Sequence, residues 1–373
     1  MTDGDSQQGQ RRLMNLAKLL VRPKPVVGET PSEVVFTENK WSLRRYRARP
    51  AGISHPLPIL LVPSLINRHY VLDLMKGKSF VEYLVMQGYD VFVIDWGTPA
   101  DEDRYVTFDD ICDTAIGRAI RRSAKIAGAE KVHLLGYCLG GLLTTIHVAV
   151  HDERVASMCV LAAPVKFDGV DGMLESWTRT PTFDVRALVD GAGNVPARLL
   201  QSAFMMLRPT LGLSKTVHMI DRAWDDEFLD GFLALEAWGN DNVSFPGECY
   251  ARYIEEIYRK DALAKGTFTL SGKPALLENV KCPLLVVSFE HDTIVPKESA
   301  VALVDRATSL VKQHVHLPGG HVGAVVSRAG AKRLWPVIDK FYSEQESAPR
   351  KTPASASLPH GRGGGARKSR RSA

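Results

Sequence analysis

No apolar run in this 373-residue chain approaches the ~18–20 residues that span a bilayer. The polar segment Met1–Gln10 also lacks the charged-then-apolar pattern of a secretory signal. Cysteine is scarce. Cys112, Cys138, Cys159, Cys249 and Cys282 are odd in number, scattered and never in CxxC spacing, which argues against a disulfide framework and against a zinc site. A reduced, cytoplasmic location is therefore expected. There is no P-loop, no dinucleotide fingerprint and no metal-ligand spacing, so no bound cofactor is expected. The body also lacks an excess of either charge. Seven of the 47 basic residues and none of the 42 acidic ones lie from Ala348 onward. The formal +5 thus belongs to the tail, and no specific nucleic-acid partner is expected for the body.

What the chain does have is core material, with 45% hydrophobic and 24% charged residues. Residues 1–10 read as disordered, and 11–22 (RRLMNLAKLLVR) as a short amphipathic helix with basic edges. That helix is either docked on the body or a weak surface anchor, and Pro23 and Pro25 end it. EVVFTENKWSLRRYR predicts a β-hairpin with Glu38-Asn39 at its turn. From Leu57 the short apolar runs LPILLVP, DVFVID, KVHLLG, VASMCVL, LLVVSF and HVHL alternate with helical stretches at 78–88, 109–127, 140–151, 297–307 and 329–344. Apolar strands alternating with helices imply an α/β fold with a mostly parallel central sheet covered on both faces. The alternation breaks at about 165–276, which reads as an inserted, mainly helical cap over a site. The expected organisation is a tail and helix over 1–25, a catalytic domain over 26–346 and a disordered basic tail over 347–373.

The segment KVHLLGYCLGGLLTTIHVAV carries the chemistry. A buried strand runs into Gly136-Tyr137-Cys138-Leu139-Gly140-Gly141 and then into an apolar helix. This is the G-x-nucleophile-x-G elbow, with Cys where hydrolases usually carry Ser. The nucleophile sits on a strained turn, where a Cβ at Gly136 or Gly140 would crowd it. The helix N-terminus favours thiolate and offers the Leu139 N–H to an oxyanion. A second donor is expected after strand Ile59–Val62, from the backbone N–H of Leu65 or Ile66, with Asn67 and Arg68 either positioning it or capping the next turn. Downstream, strand Pro283–Phe289 leads to Glu290-His291-Asp292, and Asp292 is preferred to Glu290 as the acid. Strand Val315–Leu317 leads to Pro318-Gly319-Gly320-His321, which places His321 where a base belongs. Cys, Asp and His in this order, each just past a strand, point to an acyl-transfer site of the α/β-hydrolase type.

The chain resembles the polyhydroxyalkanoate synthases, specifically the short catalytic subunit of the two-subunit type. The resemblance rests on VPSLINRHYVLDLMKGKSFVEYL, YDVFVIDWGTP, DRYVTFDDI, LLGYCLGG, VLAAPVKF, FLALEAWGNDNVSFPGECY, EHDTIVP and PGGHVGAVVS, in the family's order from about Ser32 to Tyr342. It implies polymerisation of (R)-3-hydroxyacyl-CoA, with short-chain 3-hydroxybutyryl-CoA the expected monomer and CoA the leaving group. It makes Cys138 the nucleophile and His321 its base. Asp292 is the third catalytic residue, either orienting His321 or activating the substrate hydroxyl. It further implies a homodimer, a second synthase subunit, and work at the surface of a cytoplasmic polymer inclusion in contact with the growing polyester. Trp177, Trp224 and Trp238 either line a product channel or simply pack the cap. The competing readings are a Cys-dependent thioesterase or polyester depolymerase, and a non-catalytic granule-associated protein. The basic tail is no part of this resemblance, and the basic N-terminal helix has no assigned role in it.

Overall fold

The computed structural model describes residues 3–170, 173–180, 182–207 and 211–347. The basic tail from 348 on lies outside them. The strands are β1 Ser32–Glu38, β2 Trp41–Tyr46, β3 Ile59–Val62, β4 Val91–Asp95, β5 Val132–Tyr137, β6 Val155–Leu161, β7 Thr269–Leu270, β8 Lys273–Pro274, β9 Leu284–Phe289 and β10 Lys312–Leu317. Eight of them form one sheet in the order β1-β2-β4-β3-β5-β6-β9-β10, and β7 and β8 pair separately. From β4 through β10 every pairing in the large sheet is parallel, while β2 runs against both its neighbours.

The apolar runs explain this arrangement. All residues of β3, β5 and β9 are buried, as suits strands covered on both faces. Alternate side chains feed two separate cores. Leu60, Phe92, Leu134, Val160 and Val286 point into one. Leu61, Val93, Leu135, Leu161 and Val287 point into the other. The helices that cover the sheet outside residues 165–276 are α2 Phe80–Gln87, α3 Ile116–Ala127, α4 Leu139–Val148, α11 Lys297–Arg306, α12 Gly323–Val326, α13 Arg328–Arg333 and α14 Trp335–Ser347. Between β6 and β7 lie α5 Met173–Thr178, α6 Val185–Ala192, α7 Ala197–Met206, α8 Leu211–Arg222, α9 Asp226–Asn240 and α10 Gly247–Arg252, the last running on into a π-helical turn at Tyr253–Arg259. This segment is mainly helical, with the β7–β8 hairpin near its end. It is tied down where it leaves the sheet: Asp261 accepts from the amides of Phe167 (3.0 Å) and Asp168 (3.2 Å).

Four details differ from the sequence-based expectations. Helix α1 spans Asp3–Lys18, with a 3-10 turn at Leu19–Val21, where 1–10 was expected to be disordered and 11–22 helical. The polar stretch before Arg11 has no apolar period and so gives no helix signal, yet a helix propagates cheaply once part of it is fixed. Docking fixes it. Asn15 is buried and donates to the Ala223 carbonyl (2.8 Å), and Arg22 pairs with Asp230 (2.7 Å). The hairpin turn centres on Asn39-Lys40, one residue later than expected, since Glu38 pairs with Trp41 and Asn39 takes the positive φ of 51°. The stretch expected as one helix over 329–344 is two, α13 and α14. HVHL belongs to an edge strand, β10, which is only partly buried.

Candidate active site

Strand β5 delivers Cys138 to the C-terminal edge of the sheet, and α4 begins at the next residue. Cys138 has φ 56° and ψ −128°, a conformation that non-glycine residues rarely adopt. The surrounding glycines make the turn possible. A Cβ on Gly136 would lie under 3.0 Å from Thr144, Gly141 and Gly140, and one on Gly140 would strike the Val62 and Pro63 carbonyls. Gly141 is equally confined, by Ala163, a constraint the sequence reading did not single out. The amide of Leu139 opens α4, and no acceptor is recorded for it or for the amides of Leu65 and Ile66 among the described residues.

The loop after β9 supplies Asp292. One carboxylate oxygen accepts from the amides of Ile294 and Val295, both at 2.9 Å. The other lies 2.7 Å from His321 Nδ1, and the Asp292 side chain is 1% exposed. Glu290, the competing carboxylate, is exposed, as is His291. His321 is buried, its carbonyl accepts from the Tyr137 hydroxyl (3.2 Å), and the two rings stack 5.5 Å apart. Its Nε2 is buried with no hydrogen-bond partner among the described residues, and Cys138 is among the groups that act on the ring. Burial opposes charge on the ring, but negative charge at Cys138 and the bond to Asp292 outweigh it, so the imidazole is pushed up to about 10. The arrangement favours the protonated imidazolium form of His321.

Four other histidines hold structural places. His133 is fully buried between Ser157 and Glu346, His147 bonds the Cys112 carbonyl, and His314 and His316 share the Ser288 hydroxyl. All five cysteines are unpaired, and four of them are buried; only Cys138 is partly accessible. Desolvation pushes the thiols of Cys112, Cys159, Cys249 and Cys282 up, leaving them inert.

The sequence reading did not foresee how the loop after β3 is held. The segment Trp238–Val243, at the end of α9, runs beside it. Trp238 Nε1 donates to the Arg68 carbonyl (3.0 Å), and the Val243 amide to the Ile66 carbonyl (3.2 Å). Asp241 accepts from Arg68 Nε (3.1 Å) and from the Tyr70 hydroxyl (2.8 Å), while Asn67 donates to Asn242. Trp238 is thus a buried pin on this loop. Trp177 is half-exposed and stacks on Phe183. The signal available in sequence was the pair of polar clusters INRHY and WGNDN, whose partnership no spacing rule reveals.

Residues 58–326 match the alpha/beta hydrolase fold model, and residues 13–84 match the model of the Poly-beta-hydroxybutyrate polymerase (PhaC) N-terminus. The poly(3-hydroxyalkanoate) polymerase subunit PhaC of Allochromatium vinosum is 32% identical over 341 residues, 91% of this chain and 94% of that one. The chain belongs to the PhaC polymerase family. The PhaC subunit of Haloferax mediterranei is 33% identical over 331 residues, covering 88% of this chain and 67% of its own. The PhaC N-terminal match begins at residue 13, inside α1, so the family likeness reaches further back than Ser32. Among solved structures, a hydrolase from Pseudomonas aeruginosa superposes with a TM-score of 0.52 at 11% identity, covering 84% of this chain and 98% of that one. That likeness carries the fold alone. Among the described residues no helix is long and apolar enough to cross a membrane.

Proposed function

We propose that Cys138, His321 and Asp292 carry the acyl transfer by which this member of the PhaC polymerase family converts (R)-3-hydroxyacyl-CoA into polyhydroxyalkanoate with release of CoA. The observation behind it is the strained Cys138 elbow set against a buried His321 whose other nitrogen is held by Asp292. The Cys138 thiolate attacks the thioester carbonyl, and the oxyanion forms against the N–H groups of Leu139 and of Leu65 or Ile66. CoA thiolate leaves and takes the proton from the His321 imidazolium. Exchange of one thioester for another is close to thermoneutral, which suits a thiol nucleophile. The 3-hydroxyl of another monomer or chain then attacks the Cys138 thioester. His321, now neutral, takes the hydroxyl proton, the ester forms, and Cys138 departs as thiolate to restore the ion pair.

Both Asp292 oxygens are engaged, by His321 and by two backbone amides, in a side chain cut off from solvent. This supports the orienting role for Asp292 over activation of the substrate hydroxyl. Productive growth also requires water to lose to the hydroxyl, and the burial of His321 suits that need. A short-chain monomer, a homodimer, a second synthase subunit and an inclusion-surface location belong to the same proposal, supported by resemblance to the short catalytic subunits.

The test is CoA release from (R)-3-hydroxybutyryl-CoA with analysis of the acyl product, beside Cys138→Ala. Polymer or enzyme-bound oligomer from wild type, and none from the variant, is the expected result. A lag shortened by an added second subunit would support the two-subunit assignment. Free 3-hydroxybutyrate in step with CoA would reassign the chain as a thioesterase, and equal activity in the variant would sink the nucleophile assignment.

A further inference from the structure

The clamp between loop and cap carries a role beyond the three acyl-transfer residues. The loop that follows β3 must present an N–H at Leu65 or Ile66 to an oxyanion, and a loop by itself does not hold a donor to the few tenths of an ångström that such stabilisation needs. Beside the Trp238 and Asn242 bonds, three further contacts from outside the loop hold it. The Trp96 indole donates to the Pro63 carbonyl (3.0 Å) at its start. The Val243 amide ties the Ile66 carbonyl, which fixes the orientation of the peptide just beyond the candidate donors. Asp241 then gathers the far end, one oxygen on Arg68 and the other on Tyr70, while Arg68 also reaches the Gly97 carbonyl after β4 (3.3 Å). Asp241 caps the C-terminal end of α9 and its own amide is held by the Trp238 carbonyl (3.0 Å). It therefore belongs to the cap while gripping the loop of the sheet domain.

We infer that Asp241 is a positioning residue: through Arg68 and Tyr70 it sets the oxyanion-side amide of the Leu65–Ile66 loop, so that the seating of the cap and the catalytic power of the site are coupled. This rests on the acyl-transfer reading above. Arg68 and Asp241 are both partly exposed, with side-chain accessibilities of 25% and 45%. Their bond is therefore of small value to overall stability. Its worth lies in geometry. The coupling also assigns a purpose to the polar sequence WGNDN, which an apolar cap contact would not need.

The experiment compares Asp241→Ala, Asp241→Asn and Tyr70→Phe with wild type in the full chain. Three quantities are read: steady-state CoA release from (R)-3-hydroxybutyryl-CoA, the rate of Cys138 alkylation by iodoacetamide, and the melting temperature. Alkylation needs the thiolate and no oxyanion donor. For Asp241→Ala the expected result is a kcat lower by about 10²-fold, in the range seen for a lost or misplaced oxyanion donor, with KM, alkylation rate and melting temperature close to wild type. Asp241→Asn keeps an acceptor for Tyr70 and recovers much of the loss, and Tyr70→Phe falls between. Wild-type kcat in Asp241→Ala would overturn the inference, as would a kcat loss matched by equal losses in alkylation rate and melting temperature. Failure of the underlying reading looks different: complete alkylation of Cys138 in the wild type would leave CoA release intact.

Discussion

His321 shows how one residue's chemistry depends on partners far away in sequence. Burial alone would keep the ring neutral, and the charge on Cys138 together with Asp292 reverses that. Because its folded-state value lies above the ordinary imidazole value of about 6.5, protonation favours the native state. This contribution is complete below about 6.5 and is lost as pH rises through about 10. In an NMR titration the wild-type ring should hold its proton through neutral pH. In Cys138→Ala it should release the proton at clearly lower pH, because the Cys138 contribution that raises the ring is gone. Identical titration in the two proteins would show that Cys138 does not act on the ring. Cys138 and His321 were both legible in the sequence, since each ends a strand-to-loop motif with glycine beside it. The sequence only ranks Asp292 above its neighbour Glu290; the turn that sends Asp292 inward, with its carboxylate on the amides of Ile294 and Val295, is what places it against His321.

Among the elements, the β5–α4 turn carries the greatest local constraint. Gly140 has the backbone of β3 directly against it, whereas Gly128, at the end of α3, has φ 69° and open space around it. Alanine at 128 should cost only the left-handed strain, about 1 kcal/mol. Alanine at 140 must push the Val62–Pro63 backbone aside, at about 1–3 kcal/mol, and carries Cys138 and the Leu65 loop with it. Chemical denaturation should rank the two this way, and CoA release should collapse for Gly140→Ala alone. Retained activity there would mean the elbow tolerates a shift that its packing denies. The elbow was readable because its glycines are required locally. The α1 helix was readable only from its apolar half. Its first residues follow from docking, and Asn15 has no marker in sequence for its place against Ala223.

Across the whole molecule, stability is unevenly spread. β5 and β9 are buried along their full length, while α7 has no buried residue and Leu213, Val217 and Ile220 of α8 are exposed. Opening free energies follow buried contact. Amide exchange in α7 and α8 should therefore be orders of magnitude faster than in β5 and β9, with α9, anchored through Trp238 and Asp241, in between. Uniform slow exchange across the cap would contradict this picture. The sequence by itself determined the parallel sheet, the elbow and the order of Cys, Asp and His, because each is encoded by short-range periodicity or by a glycine that nothing else can replace. Only the tertiary structure decided which acid meets His321, where α1 begins, and that WGNDN clamps INRHY. Those contacts join groups up to 208 positions apart, and hydrogen bonds between such groups leave no periodic trace along the chain.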